Sequence, residues 1–339
     1  MCAVPAFRAL RAAFPKAEIS LIGLPWAVEF AERFETYIDR FIEFPGYPGL
    51  PEQPPRLNKF PQFIHSVQQE RFDLALQAHG RGTLTNPLVQ LFGARHTAGF
   101  FEPGQFCPDE QRFIPYPAQI PEVWRLLRLL QSLGIPLQGE ELEFPVHEGD
   151  RLALSALHRS FRDPGEYIVI HPGARAAARR WSPQYFALVA DHLANQGFQI
   201  VLTGTDKEAD ITQTVARAMK SEPLDLAGRT ELGTLAALLK GARLLICNDT
   251  GVSHLAAALR VPSVVVFNHM AESEGWPPQD RQKHRVVSGI DGIMPEAVLA
   301  EADDLLQRNH KARDRFGAVR EGNGAGRLMA VAITQEEQP

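Results

Sequence analysis

Cysteine is scarce in this chain of 339 residues: there are three, Cys2, Cys107 and Cys247, far apart and without a CxxC pair. That spacing excludes a disulfide framework and a cysteine-ligated structural zinc, and Cys247, inside an apolar run, marks a buried thiol in a reduced cytosolic protein. Excess positive charge is also missing. With 35 Lys and Arg against 40 Asp and Glu the formal net charge is −5, so no basic field exists to neutralise a nucleic-acid backbone, and general nucleic-acid binding is excluded. No apolar run approaches the ~20 residues of a membrane span, and the N-terminus lacks the charged segment and apolar core of an export signal. Any work at a membrane is therefore done at its surface. What is present is the composition of a globular protein, 45% hydrophobic and 22% charged, with length enough for two domains.

The two halves differ in texture. From Tyr167 to about Val287 short apolar runs alternate with amphipathic segments: YIVIH, a helix near 183–196, QIVLTG, a helix near 206–220, PLDLAG, a helix near 231–240, LLICND, a helix near 251–260, and SVVVFN. Such a βαβ series predicts a parallel sheet with helices on both faces and ligands beyond the carboxyl ends of its strands. The first half shows a fainter version, with a helix over 6–13, strands at 18–22 and 72–77, and a helix over 122–133, and is expected to be a second α/β domain. Domains are placed at 1–155 and 165–305, with the boundary between Val146 and Gly165 and a Pro-rich loop over 45–61. The polar segment from Lys311 is expected to be a mobile tail. Its Gly322-Asn323-Gly324-Ala325-Gly326 run has neither the strand before it nor the helix after it that a dinucleotide fingerprint requires, and reads as linker.

The most informative stretch is Asn248-Asp249-Thr250-Gly251-Val252-Ser253-His254, where a strand ends in an acid, a hydroxyl and a glycine and an Ala-rich helix begins. The unpaired N–H groups of that helix make an anion seat, with Thr250 able to cap it, Gly251 allowing close backbone approach and His254 one turn on. A second strand-to-helix junction, His171-Pro172-Gly173-Ala174-Arg175, leads through Arg179 and Arg180 to Trp181-Ser182-Pro183, in which Ser182 reads as a cap and Pro183 as the first helical position. Guanidinium groups there suit a diphosphate, although solvated arginines beside an ordinary connection would look the same. At a third junction Glu208 can accept hydrogen bonds from sugar hydroxyls or simply satisfy a helix start. On the other half, His79-Gly80-Arg81-Gly82 either forms an anion-binding turn facing the cleft or only reverses the chain.

HPGA with its Arg-containing loop and WSP, then TGTDKE, DLAGRTELGTLAALL and above all NDTGVSHLAAALRVPSVVVFN, resemble the C-terminal half of glycosyltransferase family 9, the ADP-heptose:lipopolysaccharide heptosyltransferases. PAFRALRAAFPKAEISLIG and FDLALQAHGRG…LFGARHTAGF are similar to the N-terminal half, so the resemblance runs from residue 1 to about 305. It implies an α/β GT-B fold, two Rossmann-like domains facing across a cleft, with an ADP-heptose donor on the C-terminal domain and a lipid-linked saccharide acceptor on the N-terminal one. It further implies metal-independent, inverting transfer at the cytoplasmic face of the inner membrane; a monomer that uses no cofactor is expected. Carried over by position, Asp249, Thr250 and Gly251 hold the pyrophosphate and sugar with His254, Gly173 and Ala174 nearby, Arg179 stabilises the departing diphosphate, and Glu208 binds the ribose; His79 and Arg81 are the acceptor-side candidates.

Where the chain departs from the pattern is the general base. In similar sequences an apolar strand and a Gly-Asp loop precede the helix that Pro5-Ala6-Phe7-Arg8-Ala9-Leu10 matches, and that Asp is the expected base. Met1 lies beyond it, so a start assigned too late is expected, and Asp73, at a strand's beginning, is on the wrong edge to substitute. An active transferase and an inactive nucleotide-sugar-binding protein are the alternatives, a GT-B sugar-nucleotide epimerase being the weaker third.

Overall fold

The computed structural model describes residues 1–50, 53–158, 161, 165–267, 280–289 and 292–321, with side chains up to 308. Its first half runs α1 (Val4–Ala13), β1 (Ser20–Gly23), α2 (Val28–Arg33), β2 (Arg40–Glu43), α3 (Phe60–Gln69), β3 (Leu74–Leu76), α4 (Thr85–Gln90), β4 (His96–Phe101), β5 (Phe113–Pro115), α5 (Glu122–Ser132) and α6 (Glu148–Leu157). The strands form two parallel ladders, β1–β2 and β3–β4–β5. Neither ladder is dry: every residue of β1 and β3 is only partly buried. Helices make up the deficit. Ala6 and Ala9 of α1 pack with Leu126, Leu129 and Leu130 of α5 and with Phe100 of β4, while Phe63 and Val67 of α3 pack with Leu88, Val89 and Phe92.

The second half is a single six-stranded sheet. It contains β6 (Tyr167–His171), α7 (Pro183–Asn195), β7 (Gln199–Leu202), α8 (Ala209–Ala218), β8 (Leu224–Asp225), α9 (Leu232–Gly241), β9 (Leu244–Asn248), α10 (Gly251–Ala258), β10 (Ser263–Phe267), β11 (His284–Ser288) and α11 (Pro295–Glu321). All pairings are parallel, in the order β8-β7-β6-β9-β10-β11. The unbroken apolar runs follow from burial on both faces. Tyr167, Val169, Val201, Leu245, Cys247, Val265 and Phe267 point to one core. Their neighbours Ile168, Ile170, Ile200, Leu202, Leu244, Ile246, Val264 and Val266 point to the other, against α7 and α11. Burying each such side chain is worth ~1.5–3 kcal/mol, so this sheet carries much of the fold's stability.

The first of these cores also joins the halves, since Val4, Ala31, Phe34 and Ile38 pack into it. Beside it Arg33 of α2 makes a two-pronged ion pair with Asp150 of α6, 2.7 and 3.1 Å, and donates to the Pro145 carbonyl at 2.8 Å. The guanidinium also lies 4.7 Å from the centre of the Phe144 ring. Gly233 of α9 presses against this pair so closely that a Cβ there would collide with both Asp150 and Arg33.

The stretch 146–165, where the boundary between the halves is expected, holds α6, because Asp150 at the third helical position accepts the His147 N–H at 2.8 Å and nucleates a turn that Gly149 does not break. The segment from Lys311, expected to be a mobile tail, begins within α11, which runs to Glu321; its Lys, Ala and Arg residues favour helix. The rest of that expected tail, 322–339, and with it Gly322 to Gly326, lies outside the described residues. Strand β11 had no counterpart in the sequence reading.

Candidate active site

In the six-stranded sheet the chain steps outward from β6 through β7 to β8, then returns to the other side of β6 as β9. The order therefore reverses between β6 and β9, and the crevice at the carboxyl ends of these two strands is where open α/β sheets bind ligands. Two of the three junctions singled out above, His171–Trp181 and Asn248–His254, leave from these two ends.

At the second of them Asp249 donates its N–H to the Val266 carbonyl at 3.1 Å, and α10 starts at Gly251. Thr250 occupies the cap position with φ −155° and ψ 167°, but its side chain makes no capping hydrogen bond, contrary to the sequence expectation. The reason is local: Ser253 turns back on Thr250, its N–H and its hydroxyl both donating to the Thr250 carbonyl at 3.0 and 2.8 Å. The N–H groups of Gly251 and Val252 precede the first intrahelical acceptor. Among the described residues a Cβ on Gly251 would meet nothing within 4 Å, so the space before this helix end is open.

Arg179 faces the seat. Its Nη1 is 3.3 Å from Oδ2 of Asp249, which is almost fully buried while Arg179 is about one-third exposed. Burial pushes the Asp249 carboxyl up from its usual range, and Arg179 opposes that shift. His254, one turn along α10, has its imidazole pushed down to about 4 by burial, the positive N-terminal amine of Met1 acting in the same direction. Above that pH it is neutral, able to donate one hydrogen bond and accept another.

The Arg179 loop is held from several sides. Arg180 Nε donates to the Ala174 carbonyl at 2.8 Å, and the Trp181 indole donates to the Ile293 carbonyl at 2.8 Å. Asn248, fully buried, ties the loop to β9: its Oδ1 accepts the Trp181 N–H at 2.9 Å and its Nδ2 donates to the carbonyls of Pro172 at 2.8 Å and Gly173 at 3.4 Å. Ser182 caps no backbone group, donating instead to Gln184 Oε1 at 2.8 Å.

The third junction lies alongside. Oε2 of Glu208 accepts the N–H and the hydroxyl of Thr205, both at 2.9 Å, so the helix-start role is real. Its other oxygen lies across Gly173, where any Cβ would collide with the carboxylate. Beneath them, His171 Nδ1 is 3.1 Å from the Thr203 hydroxyl, and burial pushes its pKa down, with Glu208 opposing. Gly173, Ala174, Arg179, Glu208, Asp249, Thr250, Gly251 and His254 thus gather at one edge of one sheet.

The N-terminal candidates belong to the other half. Arg81 pairs with Glu102 at 3.0 Å and lies 5.1 Å from the centre of the Tyr116 ring, and the His79 carbonyl accepts the Thr85 hydroxyl at 3.0 Å. Asp73 sits at the amino edge, its carbonyl accepting the His96 N–H. Among the described residues no group of three or more His, Cys, Asp or Glu could hold a metal ion. Sequence reasoning assigned no role to Asn248; a polar side chain ending a wholly apolar strand was the available signal.

Comparison with known proteins agrees with this architecture. The sequence profile of glycosyltransferase family 9 (heptosyltransferase) matches residues 61–301, more than two thirds of the chain. Lipopolysaccharide heptosyltransferase 2 of Escherichia coli K12 is 26% identical over 333 residues, covering 88% of this chain and 93% of that protein. Among solved structures, a family 9 glycosyltransferase from Veillonella parvula superimposes with a TM-score of 0.74 at 21% identity, over 91% of this chain and 93% of its own. The E. coli heptosyltransferase WaaC, solved with ADP-2-deoxy-2-fluoro heptose, gives 0.64 at 20% identity, over 89% and 95%. With its GT-B fold of two Rossmann-like halves, this chain belongs to glycosyltransferase family 9.

Proposed function

We propose that the protein transfers heptose from ADP-heptose to the core of lipopolysaccharide, with inversion at the anomeric carbon and without a metal ion. The observation that carries this reading is the Arg179–Asp249 pair at the open end of α10. The donor's diphosphate sits on the N–H groups of Gly251 and Val252, and Arg179 turns from Asp249 to the phosphate oxygens. Asp249 and His254 then face the sugar, and Glu208, with one oxygen held by Thr205, accepts a ribose hydroxyl on the other. An acceptor hydroxyl attacks the anomeric carbon as the bond to the diphosphate breaks. Negative charge develops on the leaving ADP, where Arg179 and the helix end supply the neutralisation a divalent cation supplies elsewhere. The hydroxyl proton passes to a base on the acceptor side, to which no described residue is assigned.

The relatives support both substrates: one is a lipopolysaccharide heptosyltransferase, and another was solved with an ADP-heptose analogue. No helix among the described residues is long and apolar enough to cross a membrane, and peripheral work by a monomer at the inner-membrane surface fits a lipid-linked acceptor. The test is acceptor-dependent release of ADP from ADP-heptose, with and without EDTA, and the anomeric configuration of the product by NMR. Release that survives EDTA and gives the opposite anomer is expected. Loss of activity with EDTA or a retained anomer refutes the mechanism, and release from another sugar nucleotide alone refutes the donor.

A further inference from the structure

We propose that Asn248 is a positioning residue that sets the Arg179 loop in register with the N-terminus of α10, so that the two parts of the diphosphate cradle meet. The inference rests on the donor site proposed above. One carboxamide holds both ends of that loop. Its Nδ2 donates to Pro172 and Gly173 at the loop's start, and its Oδ1 accepts the N–H of Trp181, two residues after Arg179. The backbone carrying this carboxamide is the last residue of β9, immediately before Asp249.

Chemistry narrows the side chain to an amide. The site needs one acceptor and one donor on the same short stem, facing an N–H on one side and carbonyl oxygens on the other. Aspartate keeps the bond to Trp181 but sets an oxygen against the Pro172 and Gly173 carbonyls. Alanine leaves a buried N–H and a buried carbonyl without their partner, and at a fully buried position water does not replace it. The other anchors do a different job. The Trp181 indole bond to Ile293 and the Arg180 bond to Ala174 fix the loop's shape and its rear attachment. Asn248 relates the loop to the strand that carries Asp249, and an error of about 1 Å in such a relation can cost ~100-fold in function.

A double-mutant cycle on ADP affinity tests this. ADP carries the charge that develops as the diphosphate leaves, and adenosine, which lacks the diphosphate, serves as the control. Calorimetric titrations would compare wild type, Asn248→Ala, Arg179→Ala and the double variant, with melting curves for each. Arg179→Ala is expected to weaken ADP about 10- to 100-fold, the range for a charge-assisted hydrogen bond, and Asn248→Ala about 10-fold. In the Arg179→Ala background, Asn248→Ala should cost less than about 3-fold further, and adenosine affinity should stay within about 2-fold throughout.

Losses that multiply, or an adenosine affinity that falls as far as that for ADP, would make Asn248 a general scaffold residue and overturn the proposal. Unchanged ADP affinity in Arg179→Ala would instead refute the donor site itself. If Asn248→Ala does not fold, Asn248→Ser and Asn248→Asp take its place in the cycle. Failure of all three to fold also overturns the positioning role.

Discussion

The two halves of this protein solve the same architectural problem differently. In the C-terminal half β6, β9 and β10 are buried along their whole length and shared between two cores. In the N-terminal half β1, β2 and β3 have no fully buried residue. Helix packing and side-chain clamps there do what strand burial does in the other half: Arg33 on Asp150, Arg40 on Glu70 and Arg8 on the carbonyls of 138, 139 and 141. The residues proposed to hold the donor stand on the dry, over-determined sheet, where a misplaced loop would have to disturb a packed core. On the proposed function, pre-organisation for charge is built into the half that the leaving group would meet.

That contrast can be broken by acid. Burial holds His171, His254 and His284, all in the C-terminal half, well below an ordinary imidazole, at about 4 for each. As pH falls below 6.5 the unfolded chain takes up protons that the folded chain refuses, so stability is full above 6.5 and falls steadily towards pH 4. With three such groups the slope reaches up to ~4 kcal/mol per pH unit. Asp150 behaves oppositely. Burial alone would raise its pKa, but Arg33 and the His147 N–H bring the net shift below the usual value, so its contribution survives until the pH falls below ~3.9. Urea unfolding between pH 4 and 7.5 should show the C-terminal sheet failing first; a flat profile over 4.5–6.5 would contradict the burial of these imidazoles.

Core truncation should sharpen the same contrast. Leu245→Ala, at a fully buried position of β9, is expected to cost ~2–5 kcal/mol. Ile22→Ala, on the half-buried β1, should cost less than about half of that, in line with the smaller area removed from water. Equal losses in chemical denaturation would put the N-terminal ladder on the same footing. A smaller effect is expected at the join between halves, where Gly233→Ala forces a Cβ against Asp150 and Arg33 and should cost ~1–3 kcal/mol by overpacking. That loss should shrink in an Asp150→Ala background, because the nearer of the two collision partners is gone and Arg33 loses its anchor.

The same difference decided what could be read from sequence. Runs such as YIVIH and LLICN coincide with β6 and β9 because a strand buried on both faces must be apolar throughout. Strands such as Arg40–Glu43, with charged ends and two partly buried positions, carry no such signal, and β11, opening on His284-Arg285, was hidden for the same reason. Helix α6 was missed because Gly149 reads as punctuation when the Asp150 bond to His147 cannot be seen. At the site, the acid, hydroxyl and glycine of 249–251 were legible as a motif. The bonds of Asn248 were not, since they join residues 67 and 76 positions apart and exist only once β9 lies beside β6.

If the donor binds at the reversal point of the C-terminal sheet, titration of ADP-heptose into Asp249→Asn, Thr250→Ala and Arg81→Ala should separate the two halves. About 10-fold or greater weakening is expected for at least one of the first two, the cost of about one hydrogen bond to a charged group, and wild-type affinity for Arg81→Ala. Unchanged affinity in both Asp249→Asn and Thr250→Ala would contradict donor binding there.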